Sequence, residues 1–264
     1  MLITFQNLRG CKLEATDGDI GIVNEIYFDD EHWIVRYFVV DTSSWFTNTE
    51  VLIAPCALSE IDPQSQSIAV ALTREQVRSA PLAETDKPVS RQYEKRFYKH
   101  YDWDPHWIVP GAVPGIMAAH MNPSPDPIPD VPEPQTAEQQ DQEKYDPHLR
   151  SSKELLSGYS IHAQDGEIGK VKDIFIDDSE WHVRYLVIHT GILFLGKMVL
   201  LSPAWIEHIS HERSEVFVNL PRSSIKEAPD YDARTPVSRA FEQRLHDHYG
   251  RKSYWDSVKS AHNS

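Results

Sequence analysis

Two pairs of adjacent aspartates, Asp29-Asp30 and Asp177-Asp178, are the first residues in the chain that could do chemistry. Neighbouring carboxylates can bind a cation such as calcium, or they can act as a general acid and base. The residues that follow the pairs differ, because Glu31-His32 stands in one place and Ser179-Glu180 in the other. Asp also favours turns, so we interpret both pairs as turns between strands and predict no metal site there.

Thirteen histidines raise the question of a zinc site, because imidazole is a preferred zinc ligand. His208 lies close to His211, and His246 lies close to His248. Only His248 has a counterpart, His100, where the chain repeats itself as described below. We therefore predict packed or solvated imidazoles and no bound metal. At the end of a helix, His100 and His248 would interact favourably with the helix dipole.

Arg36 and Arg184 interrupt otherwise apolar segments, and the donors of a guanidinium could bind an anionic ligand. Pairing with a carboxylate on the adjacent strand is the commoner arrangement, and it is the one we predict. Four tryptophans could form a stacking platform for nucleic-acid bases, but such platforms lie in positively charged grooves. We predict that they belong to the core or to the mouth of a barrel: Trp33, Trp45, Trp181 and Trp205.

The sequence contains no recognisable catalytic or cofactor-binding motif. Nucleophile elbows, phosphate-binding loops, dinucleotide fingerprints and paired-histidine zinc motifs do not occur in it. Cys11 and Cys56 are too few and too far apart for a disulfide framework or a metal-binding spacing. We therefore predict that the protein is not an enzyme, and we assign no catalytic, cofactor-binding or metal-binding residues.

The overall charge and hydropathy narrow the classes of partner. The formal net charge is −14 over 264 residues, which opposes binding to the phosphate backbone of nucleic acids. No apolar stretch is long enough to cross a bilayer, and Met1–Gly10 does not have the pattern of a secretory signal. The expectations are a cytoplasmic location, no nucleic-acid partner and no transmembrane span.

The chain contains an internal repeat, which predicts the elements that position the aspartates, arginines and tryptophans named above. The segment from Gly10 to Trp107 matches the segment from Gly158 to Trp255 without a gap, and about a third of the aligned positions are identical. We therefore predict two copies of one domain, with copy one at residues 1–107 and copy two at 155–264. Their net charges differ, at −7 and −2, so the copies present different surfaces to a partner.

Residues 108–154 separate the copies and have the composition of a linker. Nine of the 18 prolines fall between Pro110 and Pro147, and few aromatic residues accompany them. Such a segment cannot bury enough apolar area to offset the entropy lost on ordering. A Pro-rich, acidic linker is the prediction.

Each copy has the pattern of several short strands followed by one helix. Asp17-Gly18 and Asp165-Gly166 predict type I′ hairpin turns, and a slip in the apolar pattern predicts bulges at Gly21 and Gly169. Short strands that lack intervening helices favour a small closed β-barrel, because closure removes exposed edges. Apolar residues at helical spacing predict a helix after each barrel: Val89, Tyr93 and Phe97 in copy one, and Val237, Phe241 and Leu245 in copy two.

The two copies resemble the PRC-barrel domains. The resemblance rests on repeated segments in both copies: Asp17-Gly18-x-Ile20-Gly21-x-Val23 and Val51-Leu52-Ile53-x-Pro55, with Asp165-Gly166-x-Ile168-Gly169-x-Val171 and Val199-Leu200-Leu201-x-Pro203. Such domains occur in the cytoplasmic part of the photosynthetic reaction centre H subunit and in the ribosome maturation factor RimM. The resemblance implies a mainly β fold of two small barrels, each followed by a short C-terminal helix.

The function predicted from these features is a non-enzymatic adaptor that binds a protein partner. The resemblance implies two alternatives. One is a peripheral component of a membrane electron-transfer complex with a role in photosynthesis, like the reaction centre H subunit, although the sequence predicts no N-terminal transmembrane helix of the kind that the H subunit has. The other, ranked lower, is a RimM-like ribosome assembly factor. The sequence does not identify the partner, the oligomeric state or the biological process.

Overall fold

The computed structural model describes residues 1–46, 50–62, 65–81, 89, 91–103, 148–191 and 196–256, and its fold is mainly β. The predicted linker therefore lies outside the described residues, apart from 148–154. The described chain divides into two compact units. We call the first, Gln6–Lys153 with Glu180–His182, the copy-one unit, and the second, Met1–Phe5 with Glu154–Ser179 and Val183–Ser264, the copy-two unit.

The copy-one unit contains a seven-stranded sheet. Its strands are β2 (Lys12–Ala15), β3 (Gly18–Asp29), β4 (Val35–Asp41), β5 (Glu50–Ile53), β6 (Leu58–Asp62), β7 (Ser67–Val70) and β8 (Leu149–Ser151). The order is β5-β4-β3-β2-β7-β6, and β8 pairs with the far end of β3. All neighbours are antiparallel except β2 and β7.

The copy-two unit repeats this topology with its own seven strands. They are β1 (Leu2–Thr4), β9 (Ser160–Ala163), β10 (Gly166–Asp177), β11 (Val183–Thr190), β12 (Met198–Leu201), β13 (Ile206–Ser210) and β14 (Glu215–Val218). The order is β12-β11-β10-β9-β14-β13, and β1 pairs with the far end of β10. Each long strand, β3 or β10, thus carries a hairpin strand and an added strand along one edge.

The pairing among the described residues does not close either sheet into a barrel. The two end strands of the copy-one sheet, β5 and β6, are consecutive in the chain and are joined by a 3-10 turn, Pro55–Ala57. The corresponding turn in copy two is Pro203–Trp205. A proline has no backbone N–H to donate to a ladder, so each turn interrupts the sheet where its ends would meet.

Helices follow the strands as the apolar spacing predicts. A short helix, α2 (Arg74–Arg78), begins at a capping box on Thr73, and α5 (Arg222–Glu227) is its counterpart. The longer helices α3 (Arg91–Tyr101) and α6 (Arg239–Tyr249) confirm the predicted trailing helices. Two single turns, α1 (Phe5–Leu8) and α4 (Ser152–Leu156), follow β1 and β8. No helix in the described ranges has the length and apolar character that crossing a bilayer requires.

The predicted hairpins are present, but the type I′ assignment is wrong. Ala15 pairs with Gly18, so the loop residues are Thr16 and Asp17, and neither has the positive φ that a type I′ turn requires. The Asp17 carboxylate instead accepts a hydrogen bond from the backbone N–H of Arg74, at 2.7 Å. The aspartate thus ties the hairpin to the start of α2 and does not occupy a left-handed conformation.

The predicted bulges are confirmed. The register of β2 on β3 shifts between Asp19 and Gly21, and that of β9 on β10 shifts between Glu167 and Gly169. At each glycine the neighbouring strand comes very close. A Cβ atom on Gly21 would lie 1.9 Å from the carbonyl oxygen of Asp41.

Candidate functional site

The paired aspartates lie where β3 and β10 end, and the first member of each pair binds an arginine. Asp29 Oδ2 accepts a 2.7 Å bond from Arg36 on β4, and both side chains are buried. Asp177 and Arg184 form the same pair at 3.3 Å. The prediction that the two arginines pair with carboxylates on an adjacent strand is therefore confirmed.

The same aspartates form the turns that the sequence indicates. Asp29 Oδ1 accepts hydrogen bonds from the backbone N–H groups of Glu31 and His32, at 2.9 and 2.8 Å. Burial alone would raise the pKa of Asp29, but the hydrogen bonds from Arg36 and His32 outweigh burial and hold that pKa below its ordinary value. The carboxylate is thus charged and fully engaged in the fold.

The second aspartate of the first pair holds the added strand β8. The Asp30 N–H donates to the carbonyl of His148 at 2.9 Å, and Arg150 Nε donates to Asp30 Oδ2 at 2.7 Å. The Asp30 side chain is only 10% exposed. A backbone ladder and a half-buried ion pair therefore fix β8 at this edge.

A second polar cluster fastens β8 farther along β3. The Glu25 side chain is 7% exposed and lies 3.3 Å from Lys153 Nζ. Ser151 also donates a hydrogen bond to Glu25. The buried Ser152 hydroxyl accepts from the Ile26 N–H at 3.1 Å. Each of these contacts joins residues more than 120 positions apart in the sequence.

The added strand β1 occupies the matching edge of β10 with different chemistry. The Asp178 N–H donates to the carbonyl of Met1 at 3.1 Å, and Ile3 lies opposite Ile176. Ile3 and Phe5 are buried, at 7% and 1% exposure. Apolar burial and an ion pair between the Met1 ammonium and Asp178 therefore support β1, whereas ion pairs from the side chains of Arg150 and Lys153 support β8. We take these two strand-accepting edges, residues 27–30 of β3 with its turn and residues 175–178 of β10 with its turn, as the candidate functional site.

Buried glutamates join each long helix to its sheet. Tyr37 on β4 donates to Glu94 on α3 at 2.8 Å. Tyr185 on β11 donates to Glu242 on α6 at 3.0 Å, and Tyr254 donates to the same oxygen at 2.9 Å. Burial, together with the nearby glutamate, raises the pKa of Tyr185 and keeps its hydroxyl protonated. These clusters position the helices.

The histidines occupy separate places in the fold. His208 stacks on Phe217, and His211 lies near the Tyr159 hydroxyl. His100 and His248 each contact the carbonyl of an equivalent residue, Gln76 or Ser224, in a short helix. His246 is buried against the Tyr185 hydroxyl at 3.1 Å. Over the ranges that the structure describes, no group of three or more metal-ligating side chains comes together.

Three of the four tryptophans are core residues, as predicted. Trp33, Trp181 and Trp205 are at most 9% exposed. Trp45 is only half-buried, and it stacks on Phe46 with ring centroids 5.6 Å apart. The two cysteines are free, and burial raises the pKa of the Cys56 thiol to about 12.

Sequence reasoning missed the strand-accepting edges because β1 and β8 have three residues each, too few to show a period of two. One signal was available. Met1–Leu8 aligns with His148–Leu155 at an offset one residue shorter than the rest of the repeat, so a single inserted residue hides the extension from a gapless comparison. Leu2 and Leu149 are matched in this alignment, and both begin an added strand.

Comparison with known proteins adds no assignment to this geometry. No profile of a known protein family matches the chain, and no curated protein is significantly similar to it in sequence.

Proposed function

We propose that the protein is a cytoplasmic, non-enzymatic adaptor whose two units are of the PRC-barrel type and which binds a protein partner. The polar groups shared by the copies make the same internal contacts in both: Asp29–Arg36 matches Asp177–Arg184, and Tyr37–Glu94 matches Tyr185–Glu242. Because these side chains stabilise the fold, the features that differ between the copies are the candidates for recognition.

The observation that carries the proposal is a cluster of aromatic and arginine side chains in the copy-one unit. The guanidinium carbon of Arg74 lies 4.3 Å from the centre of the Trp45 ring, and that of Arg78 lies 5.7 Å from it. The Trp45 indole N–H donates to the carbonyl of Ile20, which fixes the ring. Tryptophan and arginine are the residue types that most often dominate the binding energy of protein interfaces.

This cluster distinguishes copy one from copy two. Leu193 stands at the position in copy two that matches Trp45, and Lys226 stands at the position that matches Arg78. Fixed aromatic rings lose little conformational entropy on binding, and arginines stacked on them are already oriented toward a partner. We therefore expect copy one to provide the main recognition surface.

The test is affinity capture with the full chain from an extract of its source cells, followed by quantitative mass spectrometry. The variant Arg78→Glu reverses a charge on a side chain that is 51% exposed, so the fold should tolerate it. We expect the variant to capture at least about tenfold less of any partner that the wild type enriches, which is the effect typical of a hot-spot residue.

The matched control is Arg213→Glu in copy two. Arg213 is 63% exposed and also lies over an aromatic ring, that of Phe217, at 5.6 Å. It should leave capture unchanged. Equal capture by wild type, Arg78→Glu and Arg213→Glu, with all three folded, would remove the support for this surface.

A further inference from the structure

Each unit is completed by a strand that belongs to the other copy in sequence. Strand β1 immediately precedes copy one's own strands but pairs with β10, and β8 immediately precedes copy two's strands but pairs with β3. The covalent connection between the copies is the segment 104–147 alone. The strand pairing is therefore that of two domains that have exchanged their first strands, although both belong to one chain.

The copy-one unit also takes a turn from copy two. The Val35 N–H donates to the carbonyl of Trp181 at 2.8 Å, and Ile34 forms an isolated bridge with His182. The Trp181 ring packs edge-on against Phe38, with centroids 5.1 Å apart. Together with β8, this turn gives copy one a buried aromatic contact, a backbone ladder and two ion-pair clusters from copy two.

The exchanged strands differ in chemistry, so the pairing is specific. Arg150 and Lys153 of the β8 region face Asp30 and Glu25 of copy one. The equivalents of Arg150 and Lys153 in the first segment of the chain are Ile3 and Gln6. The N-terminal ammonium of β1, which pairs with Asp178 on β10, could reach Asp30 in the equivalent position, but β1 placed on β3 would leave the buried Glu25 opposite the neutral Gln6 in place of Lys153, which is costly. Copy one is thus built to pair with copy two and not with another copy one.

We propose that this exchange forms an intermolecular docking surface for a second copy of this chain. Copy one of one molecule takes β8 and Trp181 from copy two of the other molecule and gives β1 in return. The contacts are the same within one molecule and between two. In this arrangement the linker contributes only a covalent connection, which raises the effective concentration of the intramolecular partner. Cutting the linker removes that advantage.

The experiment uses two preparations of the full chain, each with a protease recognition sequence inserted after Gln140. One carries an affinity tag after Ser264, and the other is untagged and labelled with ¹⁵N. Both are cut, mixed in equal amounts in denaturant and refolded together. We expect the tagged copy-two fragment to capture copy-one fragment at one to one, about half of it labelled, as random pairing between molecules requires. Recovery of no copy-one fragment would overturn the proposal.

Reversing the charges of the Arg150–Asp30 ion pair tests whether the captured fragment is held through β8. Arg150→Glu should weaken recovery at limiting concentration by at least about tenfold, because it places two carboxylates opposite each other. Adding Asp30→Arg should restore recovery, which a merely misfolded variant would not show. The control Arg234→Glu breaks an exposed pair with Asp232 inside copy two and should have no effect. Full recovery with Arg150→Glu alone, or failure of the rescue, would contradict the exchange.

Discussion

Two glycines of this protein are required by the close approach of the backbones of neighbouring strands. Gly21 and Gly169 face a carbonyl of the adjacent strand, Asp41 or His189, with no space for a side chain. The sequence predicts both bulges because the apolar pattern slips beside each glycine. It does not reveal why glycine is required, since the approaching carbonyl lies about 20 residues away.

Replacing Gly21 by alanine should be severely destabilising. The new Cβ would lie 1.9 Å from the Asp41 oxygen and 2.8 Å from its carbonyl carbon, so the β3–β4 ladder would have to shift. We expect a loss of about 3 kcal/mol in the free energy of unfolding, the upper range for overpacking. Urea unfolding followed by circular dichroism measures this loss.

The control for this substitution is Gly10→Ala. Gly10 also has a positive φ, of 85°, but no atom lies within 4 Å of its ideal Cβ position. Only the backbone strain of a left-handed residue remains, which costs about 1 kcal/mol. Equal losses for the two variants would show that steric contact is not what requires Gly21.

The sequence is most informative about the secondary-structure elements. Apart from β1 and β8, the strands follow from local periodicity, as do both trailing helices, and the short helix α2 follows from its capping residues. The apolar stripe on α6 is only partly buried, however, because Glu242 and His246 lie on the inner face and Phe241 does not. Periodicity along the helix cannot predict this rotation, because the tyrosine that donates a hydrogen bond to Glu242 is Tyr185 on β11.

His246 makes the docking of α6 sensitive to pH. Burial lowers the pKa of His246, outweighing the nearby carboxylates of Glu242 and Asp256, which raise it. In the unfolded chain the pKa is about 6.5, so below that pH the unfolded state binds a proton that the folded state does not. Stability is therefore fully present above about pH 6.5 and falls as the pH decreases toward the lower pKa of the folded state.

The substitution His246→Tyr should remove this component of acid sensitivity. Copy one carries Tyr98 at the matching position, where it is fully buried on α3, so the fold can accommodate a phenol there. We expect the unfolding free energy of the variant to change less between pH 7.5 and about 5 than that of the wild type. Denaturant titrations across this range measure the difference.

His208→Tyr is the comparison for His246→Tyr, because the His208 ring is exposed and stacks on Phe217. A pH dependence that His246→Tyr leaves unaltered would mean that another group is responsible for the acid sensitivity.

The exchange of β1 and β8 is a property of the whole molecule, and local sequence signals carry almost none of it. The partner of each three-residue strand lies more than 100 positions away, and which of the two equivalent edges it takes is decided by burial and charge. Removing a strand should therefore loosen the copy to which it does not belong in sequence. Copies produced as the separate fragments 1–107 and 155–264 would each lack the added strand that pairs with the long strand of their own sheet.

Hydrogen exchange in the variant Ile3→Pro tests whether β1 supports the sheet of copy two. Ile3 lies opposite Ile176, and proline would remove its N–H from the β1–β10 ladder. We expect amide protection to fall at Ile176 and Asp178 in copy two, while the amides of β3 in copy one keep theirs. Arg150→Pro should have the reciprocal effect, lowering protection at Phe28 and Asp30 and sparing β10. If each proline loosened only the copy that contains it, the added strands would have to pair within their own copies, and the chain would be two independent sheets on a tether.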